Sequence, residues 1–126
     1  MKRAVIASLM AVVLSVSLVG PAWAFDRENK LTFSELSGDR LRFLIALTLI
    51  QAQNPPPECR ADVPVRLQRR RSGKWRTIKR GRTNKRGRFV ATQPRRAGRY
   101  RAVAPEFMTK TNQQCFKSVS NTVTVP

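Results

Sequence analysis

Histidine is missing from all 126 positions of this sequence, which removes the commonest metal ligand and the base of Ser-His-Asp and Cys-His nucleophile arrangements. Acids are scarce too. The seven aspartates and glutamates are scattered, and neither Asp62 nor Glu106 has an acidic neighbour in sequence for paired acid and base work. Two cysteines without a histidine fall short of a four-ligand metal set, and no cofactor is implied. Only six glycines occur and none opens a helical pattern, so a phosphate-cradling loop is excluded. After the first 24 residues the longest apolar run, residues 43–50, is far shorter than the roughly 20 residues that span a bilayer. These absences point away from an enzyme.

What the chain has in excess is positive charge, 25 lysines and arginines for a net +18. Two of them, Lys2 and Arg3, precede an uncharged apolar stretch over residues 4–19, and Pro21 then Ala22-Trp23-Ala24 follows as a small-x-small motif. That succession is the pattern of a secretory signal cleaved before Phe25. Residues 1–24 are therefore expected to be a signal peptide, and residues 25–126 one domain of 102 residues, secreted or at the cell surface, without a transmembrane segment after cleavage. A domain of that size builds one modest core. Cys59 and Cys115, an even pair in an exported chain, are expected to form one disulfide, with a free buried thiol and pairing between chains as the competing arrangements. Closing a loop of 55 intervening residues is worth on the order of 4 kcal/mol in the chain-entropy model.

Along the mature chain, residues 25–30 read as a lead-in of mixed charge and little order. Alternation starts at Leu31-Thr32-Phe33-Ser34-Glu35-Leu36, a first strand at a sheet edge, and Ser37-Gly38-Asp39 supplies a turn. Leu41, Phe43, Ile45, Leu47 and Leu49 share one parity and suit a sandwich core. A helix capped by Ser37 could use the same residues, but the strand and turn signals downstream favour a strand, ended by prolines at 55, 56 and 57. Val63, Val65 and Leu67 then alternate with Pro64, Arg66 and Gln68, and Arg71-Ser72-Gly73-Lys74 closes a hairpin. The partner strand, from Lys74 to about Arg80, is expected to be anchored by Trp75 and Ile78, whose unequal parity predicts a bulge or a twisted edge. Turns follow at residues 83–87 and 94–98, with Phe89 and Ala91 inward between them. Gly73, Gly81, Gly87 and Gly98 punctuate the strands. Tyr100 and Ala102 share a face opposite Arg99 and Arg101, and a closing strand over residues 115–125 carries Val119, Val123 and Val125 on one parity. This spacing predicts an all-β fold, an antiparallel β-sandwich of about seven strands with one disulfide after a cleaved signal peptide.

Between Arg60 and Arg101 stand 17 basic residues and one acid, Asp62. The candidate polyanion-binding residues are Arg66, Arg69, Arg70, Arg71, Arg76, Lys79, Arg80, Arg82, Lys85, Arg86 and Arg88, densest over residues 79–88. Arginine grips phosphate and carboxylate bidentately, and a field of this sign attracts nucleic acid, anionic lipid and acidic wall polymer alike. The alternative is a solvated surface whose charges discourage edge-to-edge strand pairing. Exposed aromatics for base stacking are scarce, and export argues against a nucleic-acid role inside the cell, so specific nucleic-acid binding is not expected.

The segments V-R-L-Q-R-R at 65–70, S-G-K-W-R-T-I at 72–78, T-N-K-R-G-R-F at 83–89 and A-G-R-Y-R-A at 97–102 resemble bacterial exported Ig-like and prealbumin-like (transthyretin-like or carboxypeptidase regulatory-like) β-sandwich modules. The resemblance covers roughly residues 60–125 and is a framework signature. It implies that Trp75 and Phe89 sit in the core and that the Tyr100 strand closes a sheet. This chain departs from the pattern in the arginine content of its polar positions. The function expected is an exported, non-catalytic binding or surface-structural module, held on an anionic cell-surface polymer by its basic face. The alternatives are a cationic membrane-active or antimicrobial protein and a module that docks a protein partner without using charge.

Overall fold

A computed structural model describes residues 24–49 and 57–126. All of the expected signal peptide except Ala24, and the prolines at 55 and 56, lie outside the described residues. The elements are β1 (Ala24–Phe25), β2 (Arg27–Leu36), β3 (Arg40–Leu49), a 3-10 turn (Pro57–Cys59), β4 (Pro64–Arg71), β5 (Lys74–Arg82), β6 (Arg88–Pro94), β7 (Gly98–Ala104), β8 (Phe107–Met108), β9 (Gln114–Cys115), β10 (Ser118–Val119) and β11 (Val123–Val125). They form an antiparallel two-layer sandwich. One layer has the order β2-β3-β6; the other runs β5-β4-β7, with β10 and β11 sharing the free edge of β7. A small third sheet, β1-β9-β8, contains the one parallel pairing among the described residues, β1 with β9.

The alternation expected over residues 41–50 is that of a strand as far as Leu49, and residue 50 lies outside the described residues. Leu41, Phe43, Ile45 and Leu47 are buried, and β3 pairs with β2 and β6 so that Phe43 lies opposite both Phe33 and Ala91. Val63 just before β4, Val65 and Leu67 of β4, Tyr100, Ala102 and Ala104 of β7 and Val125 of β11 meet them from the other layer. Each large side chain buried here contributes about 1.5–3 kcal/mol. The layers touch through Phe43 and Tyr100, whose ring centroids are 4.7 Å apart.

Local signals set the register. Ser72 and Gly73 both take positive φ, 51° and 76°, the two-residue hairpin whose twist matches its flanking strands. The predicted bulge is present: Leu67 pairs with Lys79 and Gln68 with Thr77, leaving Ile78 unpaired.

Four expectations need correction. Residues 25–30 are not a loose lead-in: Phe25 belongs to β1, β2 begins at Arg27, and Arg27 and Asn29 are buried. Asn29 Nδ2 donates to the carbonyls of Ala102 (3.1 Å) and Ser118 (3.3 Å), tying β2 to the opposite layer. Gly81 does not punctuate; it lies inside β5, where a Cβ would collide with the Phe89 ring. Ile78 does not anchor β5, because the bulge leaves it exposed. The closing strand is broken into β9, β10 and β11. Val119 opposes Val103 while Val123 opposes Tyr100, a one-residue slip that turns Val119 outward and Val125 inward. At the slip, Ser120 bonds the backbone of Ala102, and the Asn121 amide bonds both Leu31 N (2.9 Å) and Leu31 O (3.0 Å).

Tyr100, the one tyrosine of the chain, is buried, and its hydroxyl donates to the Arg96 carbonyl at 2.6 Å. Burial raises its pKa above the ordinary 10.0, against the opposing pull of Arg69 and Arg96. Because folding raises it, the protonated phenol contributes stability that is intact below about pH 10 and lost as pH climbs through the folded midpoint. Absorbance at 295 nm isolates this group. We expect a midpoint above that of the guanidinium-unfolded chain; coincident titrations would contradict the placement of the hydroxyl.

Candidate anion-binding surface

Every charged residue in β4, β5, β7, β10 and β11 is a lysine or an arginine. The hairpin register sets like charges directly opposite one another on three rungs: Arg66 with Arg80, Arg69 with Arg76, and Arg71 with Lys74. Such rungs destabilise a sheet by roughly 0.2–1 kcal/mol each. The first layer differs, since β2 mixes Glu28 and Glu35 with Arg27 and Lys30.

Strand parity divides the eleven predicted anion-binding residues into separate groups. Arg66, Arg70 and Arg80 point away from the core on the outer face of the second layer, beside Arg99 and Arg101 of β7. Arg69 and Arg71 have the parity of Val63, Val65 and Leu67. They continue that inward row past the end of the core, to the gap between the layers, and Arg76 faces the same way across from Arg69. Lys79, displaced by the bulge, sits exposed on edge strand β5. Arg82 is engaged by Asp62, donating to its carboxylate at 2.9 Å and its carbonyl at 2.7 Å. Lys85 and Arg86 lie in the β5–β6 turn, which the Asn84 side chain closes by accepting from Arg86 N (2.9 Å) and Arg88 N (3.0 Å). Arg88 opens β6 in the other layer, opposite Ala46. The densest basic stretch in sequence is therefore not one patch.

Trp75 is where the structure contradicts the resemblance. It is not part of the core; it pairs with Arg70 on the outer face, half-buried beneath guanidiniums of Arg70 (5.8 Å to the ring centroid) and Arg101 (4.5 Å). Stacking of this kind is worth about 0.5–1 kcal/mol at exposed sites. Arg101 is also oriented by Gln68, whose Oε1 accepts from its Nε at 2.9 Å. Phe89 packs against the core, half-buried, and Tyr100 lies within it.

At the hairpin end, between the two layers, is a groove of about 330 Å³ lined by Arg69, Arg71, Arg76, Thr77, Ile78, Gln93, Pro94, Arg96 and Tyr100. Arg69 fixes one wall by donating from Nε and Nη2 to the Ala97 carbonyl (3.2 and 2.6 Å). No acid lines it. A second hollow of about 470 Å³ at the opposite end mixes Glu58 and Asp62 with Arg82 and Lys110, so its walls carry both signs. Sequence reasoning missed Arg96 as a groove residue, and it left Arg99 and Arg101 out of the binding set although their alternation with Tyr100 placed them outward.

Among the described residues, no helix is long and apolar enough to cross a membrane, and no group of three or more histidine, cysteine, aspartate or glutamate residues is placed to hold a metal ion. The chain matches no protein-family model, no curated protein and no solved structure.

Proposed function

We propose that the chain is an exported, non-catalytic β-sandwich module of the Ig-like kind that is held on an anionic cell-surface polymer by the outer face of its second layer. The observation that carries this reading is the unrelieved Arg66–Arg80 rung on that face, flanked there by Arg70, Arg99 and Arg101. An acid opposite any of these positions would improve the apo sheet; a bound polyanion relieves the repulsion and gains by releasing its own counterions. The signal-like leader supplies the route to the surface, and the one disulfide suits an oxidising compartment. The Ig-like part of the proposal draws on the two-layer order and on the Tyr100 hydroxyl bonded to a carbonyl four residues upstream, as in a tyrosine corner. Trp75 sets the chain apart from antibody domains, whose tryptophan packs in the core.

A membrane-active protein needs charge joined to a gathered apolar patch. Here the exposed apolar residues Leu36, Ile78, Val90, Met108, Phe116 and Val119 come from different strands in all three sheets and from the segment after β9.

The test is retention of residues 25–126 on an immobilised acidic polysaccharide under rising salt. Replacing Arg66, Arg80, Arg99 and Arg101 by glutamine is expected to bring elution to lower salt and to flatten the log–log salt slope by roughly 0.7–0.9 per cation removed. Unaltered retention of this variant refutes the assignment to the outer face. Capture that ignores salt points instead to a protein partner, and leakage of anionic vesicles to membrane activity.

A further inference from the structure

We infer that the groove at the hairpin end is a discrete binding site for one tetrahedral oxyanion, a phosphate or sulfate group, separate from the outer face. Four guanidinium-bearing residues reach it from three directions: Arg69 and Arg71 from β4, Arg76 from β5, and Arg96 from the β6–β7 connection. Cations are commonplace on this protein's surface. What distinguishes these four is that they close around a concavity instead of spreading over a flat sheet.

The cause lies in the sequence. Inward positions of β4 read Val65, Leu67, Arg69, Arg71, so the row that builds the core turns cationic where the opposing layer runs out. At that point β6 contributes Gln93 and Pro94, and the Tyr100 ring closes the inner end. Arg69 is already fixed to the Ala97 carbonyl, so one wall is ordered before any ligand arrives. Arg71, Arg76 and Arg96 remain exposed and free of acidic partners, since the two ion pairs among the described residues are Arg82 with Asp62 and Arg95 with Glu35. Arg95, next in sequence to Arg96, pairs with Glu35, and neither that carboxylate nor Asp39 lines the groove.

Chemistry narrows the occupant. Guanidinium groups match the paired oxygens of a phosphate or sulfate, and convergence of several suits a group carrying two charges better than a lone carboxylate. A volume of about 330 Å³ lies at the small end of ligand pockets, enough for one substituted oxyanion but not for a length of polymer. Ile78, Pro94 and the Tyr100 ring supply apolar surface for whatever carries the anion, with Gln93 as a polar partner. This site stands whether or not the outer face holds a polymer, and the two can fail independently.

The experiment is calorimetric titration of residues 25–126 with inorganic phosphate, sulfate and glycerol 3-phosphate at fixed ionic strength. Saturable binding at one site per chain is expected. Replacing Arg71 and Arg76 by glutamine should weaken it about tenfold per arginine while the melting temperature holds or rises, because only repulsion is removed from the apo protein. Replacing Arg66 and Arg80 on the outer face should leave the affinity within twofold. A local readout comes from Tyr100: bound sulfate offsets the arginines that pull its ionisation down, so the 295 nm midpoint moves further up in the parent and not in the Arg71/Arg76 variant. Tighter binding of the ester than of inorganic phosphate assigns the site to an esterified group; equal binding assigns it to the free ion. Non-saturating heats, or affinity unchanged by the loss of Arg71 and Arg76, overturn the proposal.

Discussion

Reduction of the Cys59–Cys115 bridge, or replacement of both cysteines by alanine, is expected to lower the unfolding free energy by about 4 kcal/mol, a large share of what a domain of this size possesses. The bridge joins residues 56 apart in sequence, with Cα atoms 5.5 Å from one another, and so closes more than half of residues 25–126 in the unfolded state. It also fastens the end of the sandwich least able to hold itself. The third sheet consists of three two-residue strands, β1, β8 and β9, and Cys115 within it opposes Phe25 on one side and Phe107 on the other. Its few backbone bonds cannot offset the ordering of the long connection that leads into and out of it. Denaturant unfolding with and without reductant measures the effect: the midpoint should fall sharply, with the third sheet losing amide-exchange protection ahead of the two main layers. Equal midpoints would show that the bridge contributes nothing to stability.

The two main layers were legible because their determinants are local. Alternation over Leu41, Phe43, Ile45 and Leu47 settles β3 once the downstream turns make a sheet available, and the Ser72-Gly73 turn fixes the β4–β5 register. That register could also have corrected the reading of Trp75. A two-residue loop sets Arg71 against Lys74 and Arg70 against Trp75, so the indole must share a face with Arg70 and Gln68, opposite to Leu67. The framework resemblance placed it in the core, and strand parity, the better physical guide, places it outside.

The candidate site was legible in composition but not in grouping. Arg69, Arg70 and Arg71 are adjacent in sequence, yet the pleat sends Arg70 to the outer face and its neighbours toward the groove. Residues 79–88 look like one basic block, and the fold distributes them over an edge strand, an ion pair with Asp62, a turn and the opposite layer. Arg96 had no local signal at all, because its place depends on where a connection between layers crosses the end of β4. The same limit hid the order in residues 25–30. What buries Arg27 and Asn29 is a set of carbonyls between 32 and 89 positions away, and no window of neighbouring residues contains that information.

Substituting Arg27 by leucine is expected to cost about 3 kcal/mol or more, a greater loss than any surface arginine should show. The residue is only 5% exposed, and burial draws the guanidinium pKa down to about 10, so it stays protonated at neutral pH. No carboxylate neutralises it in the described structure; the charge is spread over carbonyl dipoles instead. Nη1 donates to Cys59 O at 3.2 Å. Nη2 donates to Ala104 O (3.3 Å), Pro105 O (2.8 Å) and Phe116 O (2.7 Å), and Nε reaches the same Phe116 oxygen at 3.2 Å. The Phe107 ring lies 5.4 Å from the guanidinium carbon. Leucine fills part of the volume but leaves these acceptors without donors, and lysine, a single ammonium on a flexible stem, cannot serve four carbonyls at once. Arg27→Lys should therefore fall between the parent and Arg27→Leu. Two of the acceptors flank the disulfide, one on Cys59 itself and one on the residue after Cys115, so the guanidinium and the bridge order the same crossing of chain segments. Once either is lost, less remains for the other to hold. A double-mutant cycle between Arg27→Leu and the Cys59→Ala/Cys115→Ala pair should then give a combined loss smaller than the sum by at least about 1 kcal/mol. Strict additivity would mean that Arg27 acts only within β2, and a leucine variant as stable as the parent would remove the guanidinium from the account of this fold.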